Sequence, residues 1–170
     1  GLSKVGLNPI VHTIAPFITE RAYEQIKLDF GYQKQNINLI TVGGSFDYSK
    51  LGCSHHCYTD VSLISHLKNS KIVIPGSTKE FEVLFKKIYK KKSINYFRLP
   101  EYPHGVTFSE KEIVFGRGIK IKKGSDITIA VTGTMLKNVL KADEILKKKG
   151  ISLEILYFHT IKPFDYNLVK

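Results

Sequence analysis

The chain is 170 residues long, with 42% apolar and 24% charged residues and a formal net charge of +11. A chain of this size buries roughly 70% of its unfolded surface without staples, and its apolar runs fall far short of the ~18 residues that span a bilayer, which excludes a membrane-spanning helix. Of its 26 basic residues only Arg21, Arg98 and Arg117 are arginine, and the lysine runs carry no interleaved aromatics, so they read as solvated helix faces rather than a nucleic-acid surface. Cys53 and Cys57, four apart and with no others, give no disulfide framework and point to a reducing cytoplasm.

In chain order, short β-branched runs alternate with amphipathic stretches, the signature of a parallel α/β sheet. Residues 9–13 (PIVHT) read as a strand, and Ile18, Ala22, Ile26 and Phe30 recur every four residues as the apolar face of one helix. Residues 38–42 form a second strand, followed by a glycine- and serine-rich loop to Tyr58. Thr59 or Asp60 caps a short helix carrying Val61, Ile64 and Leu67. Residues 71–75 are a third strand, Phe81, Leu84, Phe85 and Ile88 stripe a helix, and 94–98 are a fourth strand.

Residues 99–119 break this rhythm with Pro100, Pro103, Gly105, Gly116 and Gly118. A second α/β unit follows: a strand at 126–131, a helix striped by Met135, Val139, Ala142 and Leu146 and ended by Gly150, and a strand at 153–158. "PFDYN" opens another helix at the end of the chain. The expectation is a domain at 1–105, a linker at 106–119 and an incomplete second domain at 120–170, the whole reading as a segment of a longer protein.

One stretch departs from ordinary soluble-protein sequence: "LGCSHHCYTD", residues 51–60. A structural zinc site wants two separated ligand pairs; here His55 and His56 are adjacent and diverge, and His12, His66, His104 and His159 are solitary. No metal is expected. A cysteine nucleophile needs a positioned base and an oxyanion hole, and beyond Cys53 beside His55 nothing supports one; both cysteines read as small buried residues.

The motifs in order resemble the transketolase-type thiamine diphosphate enzymes. "GLSKVGLNPIVHTIAPFITERAYEQIKLDF" is similar to the start of their pyrimidine-binding domain, and "LGCSHHCYTDVSLISHLKNSKIVIPGSTKE" to its G-x-T-H-Q, acidic residue, P-N and P-A-D-x-x-E succession. "YFRLP" resembles the strand bearing the substrate-phosphate arginine, and residues 116–165 resemble the opening of the C-terminal domain. The resemblance implies a three-layer parallel sheet with helices on both faces (the thiamine diphosphate-binding fold), followed by a truncated second α/β domain. It implies that His55 faces the substrate and handles protons on its hydroxyl and carbonyl groups, with His56, where most relatives have Gln, second. It also implies that Arg98 binds a sugar phosphate and that Phe17 and Ile14 line the aminopyrimidine pocket.

Four departures qualify it. The cofactor-activating glutamate would lie before Gly1; Ile14 occupies a usual aromatic position; Leu51 replaces an aspartate that contacts sugar hydroxyls; and Gly43 replaces a histidine of the sugar transketolases. No G-D-G with a following N-N marks a diphosphate domain, so thiamine diphosphate and its Mg would be held together with such a domain on the same or a second polypeptide, in a homodimer or heterotetramer. The expectation is two-carbon ketol transfer between sugar phosphates. The alternatives are a 1-deoxyxylulose-5-phosphate synthase, the β subunit of a 2-oxoacid dehydrogenase, or a non-catalytic interaction module.

Overall fold

The computed structural model describes residues 1–170. Five strands form the first sheet in the order β1 (Ile10–Ile14), β2 (Ile37–Val42), β4 (Ile94–Arg98), β3 (Ser70–Val73), β8 (Thr160–Lys162). The first four are parallel, as their connections demand. β8 returns from the C-terminal unit and pairs antiparallel with β3. Strands of a parallel sheet are covered on both faces. Here Leu39, Ile72, Ile94 and Tyr96 pack on one side with Ile64 and Leu67 of the α3 region (α3 is Asp60–Ser65), while Val73 and Phe97 pack on the other with Leu84 and Ile88 of α4 (Thr78–Ile88).

The helix expected over residues 18–30 is broken. α1 spans Ala15–Thr19, a turn follows, α2 spans Tyr23–Gln25, and Ile26–Tyr32 is a π-helical turn. A strict four-residue repeat is wider than the 3.6-residue α-turn, and i→i+5 bonding lets the last part follow it. Neither Thr59 nor Asp60 caps α3 with its side chain; both are engaged elsewhere.

The second sheet has the order β5 (Ile119–Lys122), β7 (Leu153–Tyr157), β6 (Ile127–Val131), with α5 (Met135–Lys147) crossing between the parallel β6 and β7. β5 supplies a strand that periodicity missed, because four residues of I-K-I-K amid glycines and lysines are too short a pattern. α6 (Tyr166–Val169) opens where "PFDYN" places a helix.

Between Arg98 and Ile119 there is no helix or strand, yet the stretch is anchored: His104, Phe108 and Ile113 are buried. Phe108 and Ile113 join Leu84, Phe97, Leu136, Ile155 and Tyr157 in one cluster, so both units share a core. At its centre Glu80 is fully buried. Its carboxylate accepts the Gly76 N–H at 2.9 Å, the Tyr157 hydroxyl at 2.6 Å and His104 Nε2–H at 2.7 Å. His104 Nδ1 accepts the Val106 N–H at 3.0 Å, which leaves Nε2 as the ring's donor. Burial pushes the Glu80 carboxyl up, but the His104, Tyr157 and Gly76 donors outweigh it and hold it below the usual glutamate range.

Candidate active site

Ligands of open parallel sheets sit beyond the carboxyl ends of the strands, and there the loop from Gly43 to Thr59 folds back. An isolated bridge between Ser45 and Cys57 pins its base. Gly43 adopts φ +72°, and a Cβ there would stand 2.6 Å from the Tyr48 ring; at Gly44 a Cβ would meet Arg98 Nε at 1.8 Å. Two glycines let the backbone turn and lie directly against Arg98. The same geometry leaves no room for a histidine at position 43.

His55 lies at the head of this loop, with Nδ1 3.0 Å from Ser54 Oγ and its ring edge-on to Phe17 at a centroid distance of 5.2 Å. Phe17 sits in α1, whose start at Ala15 directly follows β1 and Ile14. Ile14 Cγ2 stands 3.2 Å from the position a Gly43 Cβ would take. The structure therefore brings His55 and Phe17 into contact, with Ile14 beside the base of the same loop. His56 turns away: Nε2 is 3.3 Å from Ser49 O and the ring packs edge-on against Phe46.

Arg98 ends β4, opposite Thr41 of β2. Its Nε is 3.2 Å from Asp60 Oδ2, and Nη2 donates to Ser45 Oγ. Asp60 is 1% exposed and also accepts the Tyr96 hydroxyl at 2.6 Å, which in turn accepts from Thr41 Oγ1 at 3.0 Å. Burial first, then the Asp60 charge, pushes the Tyr96 phenol well up, so it stays a donor. Asp60 Oδ1 has no hydrogen-bond partner. Arg98 also faces a cleft of about 210 Å³ bordered by Ser45, Asp47, Thr132 and Thr134. Burial raises the Asp47 carboxyl above its usual range, with the Arg98 charge opposing. A larger groove of about 490 Å³ lies between α4 and residues 110–115, and none of these candidate residues borders it.

Cys57 is fully buried, its thiol pushed up to about 11 by burial, against a Thr19 hydrogen bond and with the Asp60 and Glu20 charges adding. Such a thiol is a packing residue, not a nucleophile. No group of three His, Cys, Asp or Glu side chains is arranged to hold a metal ion. Asp60 was matched to the motif's acidic residue, but its tie to Arg98 escaped sequence reasoning, as did Ser45 and Tyr96, because an aspartate at a helix start reads as a cap and a tyrosine in a strand as core.

The family model for the transketolase pyrimidine binding domain matches residues 1–103, and that for the transketolase C-terminal domain matches residues 116–170. The chain belongs to the transketolase family. It is 29% identical to a 6-deoxy-6-sulfo-D-fructose transketolase subunit of a Clostridium species, over 99% of this chain and 53% of the relative. It is 27% identical to an apulose-4-phosphate transketolase subunit of Phocaeicola vulgatus, over 100% of this chain and 55% of the relative. A solved structure described as a split gene transketolase, an inactive beta4 tetramer, superposes with a TM-score of 0.85 at 28% identity, over 98% of this chain and 54% of that one. The chain thus spans about half the length of the relatives it matches.

Proposed function

We propose that this chain is the pyrimidine-side part of a transketolase acting on sugar phosphates, paired with a diphosphate-binding domain on the same or a second polypeptide. The observation that carries the reading is His55 held against Phe17 on the loop beyond the strand ends. Relatives named as transketolase subunits support a separate partner polypeptide, and with it a heterotetramer; a diphosphate domain on the same polypeptide would go with a homodimer. No helix is long and apolar enough to cross a membrane. Two cysteines four apart and no others support a reducing compartment such as the cytoplasm.

The cofactor is thiamine diphosphate with Mg. Ile14 and Phe17, both half-buried at the end of β1 and the start of α1, fit an aminopyrimidine ring as an apolar shelf; the G-D-G and N-N motif that would hold the diphosphate and its metal is not in this sequence. When bound, thiamine diphosphate supplies the carbon nucleophile for two-carbon transfer, which no side chain provides. His55 moves protons to and from the substrate's hydroxyl and carbonyl oxygens, a task suited to an imidazole, with His56 in a subordinate place. Arg98, with its Nε on Asp60 and one Nη2–H on Ser45, presents its remaining N–H groups to the phosphate. The non-catalytic alternative requires none of this.

The test is reconstitution. Calorimetric titration of this chain alone with thiamine diphosphate and Mg²⁺ is expected to give no micromolar binding. Adding the diphosphate-binding polypeptide is expected to restore binding and ketol transfer. Tight binding by the chain alone, or none by the pair, contradicts the proposal.

A further inference from the structure

Three successive residues at the end of α1 reach one loop. Thr19 Oγ1 lies 3.4 Å from Cys57 Sγ, Glu20 accepts the Thr59 hydroxyl, and Arg21 Nη2 donates to Ser54 O at 2.9 Å. On a continuous helix, side chains at i, i+1 and i+2 point in different directions and do not meet a common neighbour. α1 ends at Thr19, and Ala22 is off helical geometry (φ −110°, ψ 20°); this break before α2 lets all three face residues 54–59. The loop is thereby fastened on both sides of His55, by Arg21 before it and by Glu20 and Thr19 after it.

Arg21 does a second thing at once. Its guanidinium carbon stands 4.0 Å over the Phe17 ring, and Phe17 is the ring against which His55 rests. One planar cation thus clamps the backbone just before His55 and the aromatic surface beneath it. A lysine cannot reproduce this, because a point charge lacks the flat face and the fork.

We propose that Arg21 is a positioning residue that sets the placement of the His55 imidazole through Phe17 and the Ser54 carbonyl. The inference rests on the reading of His55 as the substrate-facing group, and extends it to a residue that need not touch substrate. A misplacement of about 1 Å can cost ~100-fold in rate, so a clamp of this kind acts on turnover rather than on affinity.

The test has two arms. In the full chain, the His55 ring-proton resonances report the ring current of Phe17. Arg21→Ala is expected to move them toward an unstacked histidine while the amide resonances of the β-strands stay in place. Arg21→Met keeps an apolar contact on Phe17 but removes the Ser54 hydrogen bond; it decides the matter if Arg21→Ala does not fold, and is expected to move the His55 resonances in the same direction. In the enzyme reconstituted with its diphosphate-binding partner, Arg21→Ala is expected to lower kcat ~10- to 100-fold with KM changed by less than ~3-fold, and Arg21→Lys to rescue only in part. Unmoved His55 resonances in the variant that folds, or an unchanged kcat, overturns the proposal. If the wild-type pair transfers no ketol unit, the functional reading falls, and the resonance arm still decides whether Arg21 places His55.

Discussion

Arg98 illustrates how a residue can be recognisable in sequence while its surroundings are not. Its strand and its place after "YF" were legible; its tie to a 1% exposed Asp60 was not, because a partner 38 residues away leaves no periodic signal. That tie changes what mutating Arg98 does. Truncating it leaves a buried carboxylate without its cation, which costs about 3 kcal/mol. Arg98→Ala is therefore expected to lower the urea midpoint markedly, and adding Asp60→Asn to recover much of the loss. If the double variant is no more stable than Arg98→Ala alone, the two side chains are not coupled as the structure has them. The phosphate role is then best read in the double variant: KM for a phosphorylated substrate rises, while an unphosphorylated analogue is affected far less.

Among the elements, α4 was legible to within its ends, and so were the β1–β4 strands, because apolar periodicity and β-branched runs follow directly from what each face must bury. The burial of Glu80 was not, since a glutamate on a helix reads as solvent-exposed until Gly76, His104 and Tyr157 are brought around it. Its carboxyl is held below the usual range, so the sign of its pH effect is fixed. The stability it contributes is present above the unfolded-state value of ~4.3 and is lost as pH falls through the lower folded value. Chemical denaturation between pH 6 and pH 3 is expected to show that loss, and Glu80→Gln is expected to flatten the profile and lower stability at pH 6. A mutant profile as steep as wild type would place the acid sensitivity elsewhere. The broken helix over residues 15–32 was illegible for a different reason: tertiary contacts from loop 53–59 claim Thr19, Glu20 and Arg21 and override local helical preference.

Across the whole molecule, sequence separates two α/β units at a proline- and glycine-rich stretch, and the structure binds them into one core. β8 crosses from the second unit to the edge of the first sheet, and Phe108 and Ile113 of the intervening stretch are buried between them. Such a shared core unfolds as one. Far-ultraviolet dichroism and tyrosine fluorescence are expected to report coincident urea transitions; two separated transitions would mean that the units are independent. The reading of function rests on the loop that this shared scaffold carries at the strand ends, and within it on His55. The measurement that bears on it most directly is the steady-state kinetics of His55→Ala in the reconstituted enzyme. A proton-transfer contact strengthens in the transition state, so kcat and kcat/KM are expected to fall together by ~10²–10⁴-fold. Turnover at the wild-type rate, or a change confined to KM, would contradict the account.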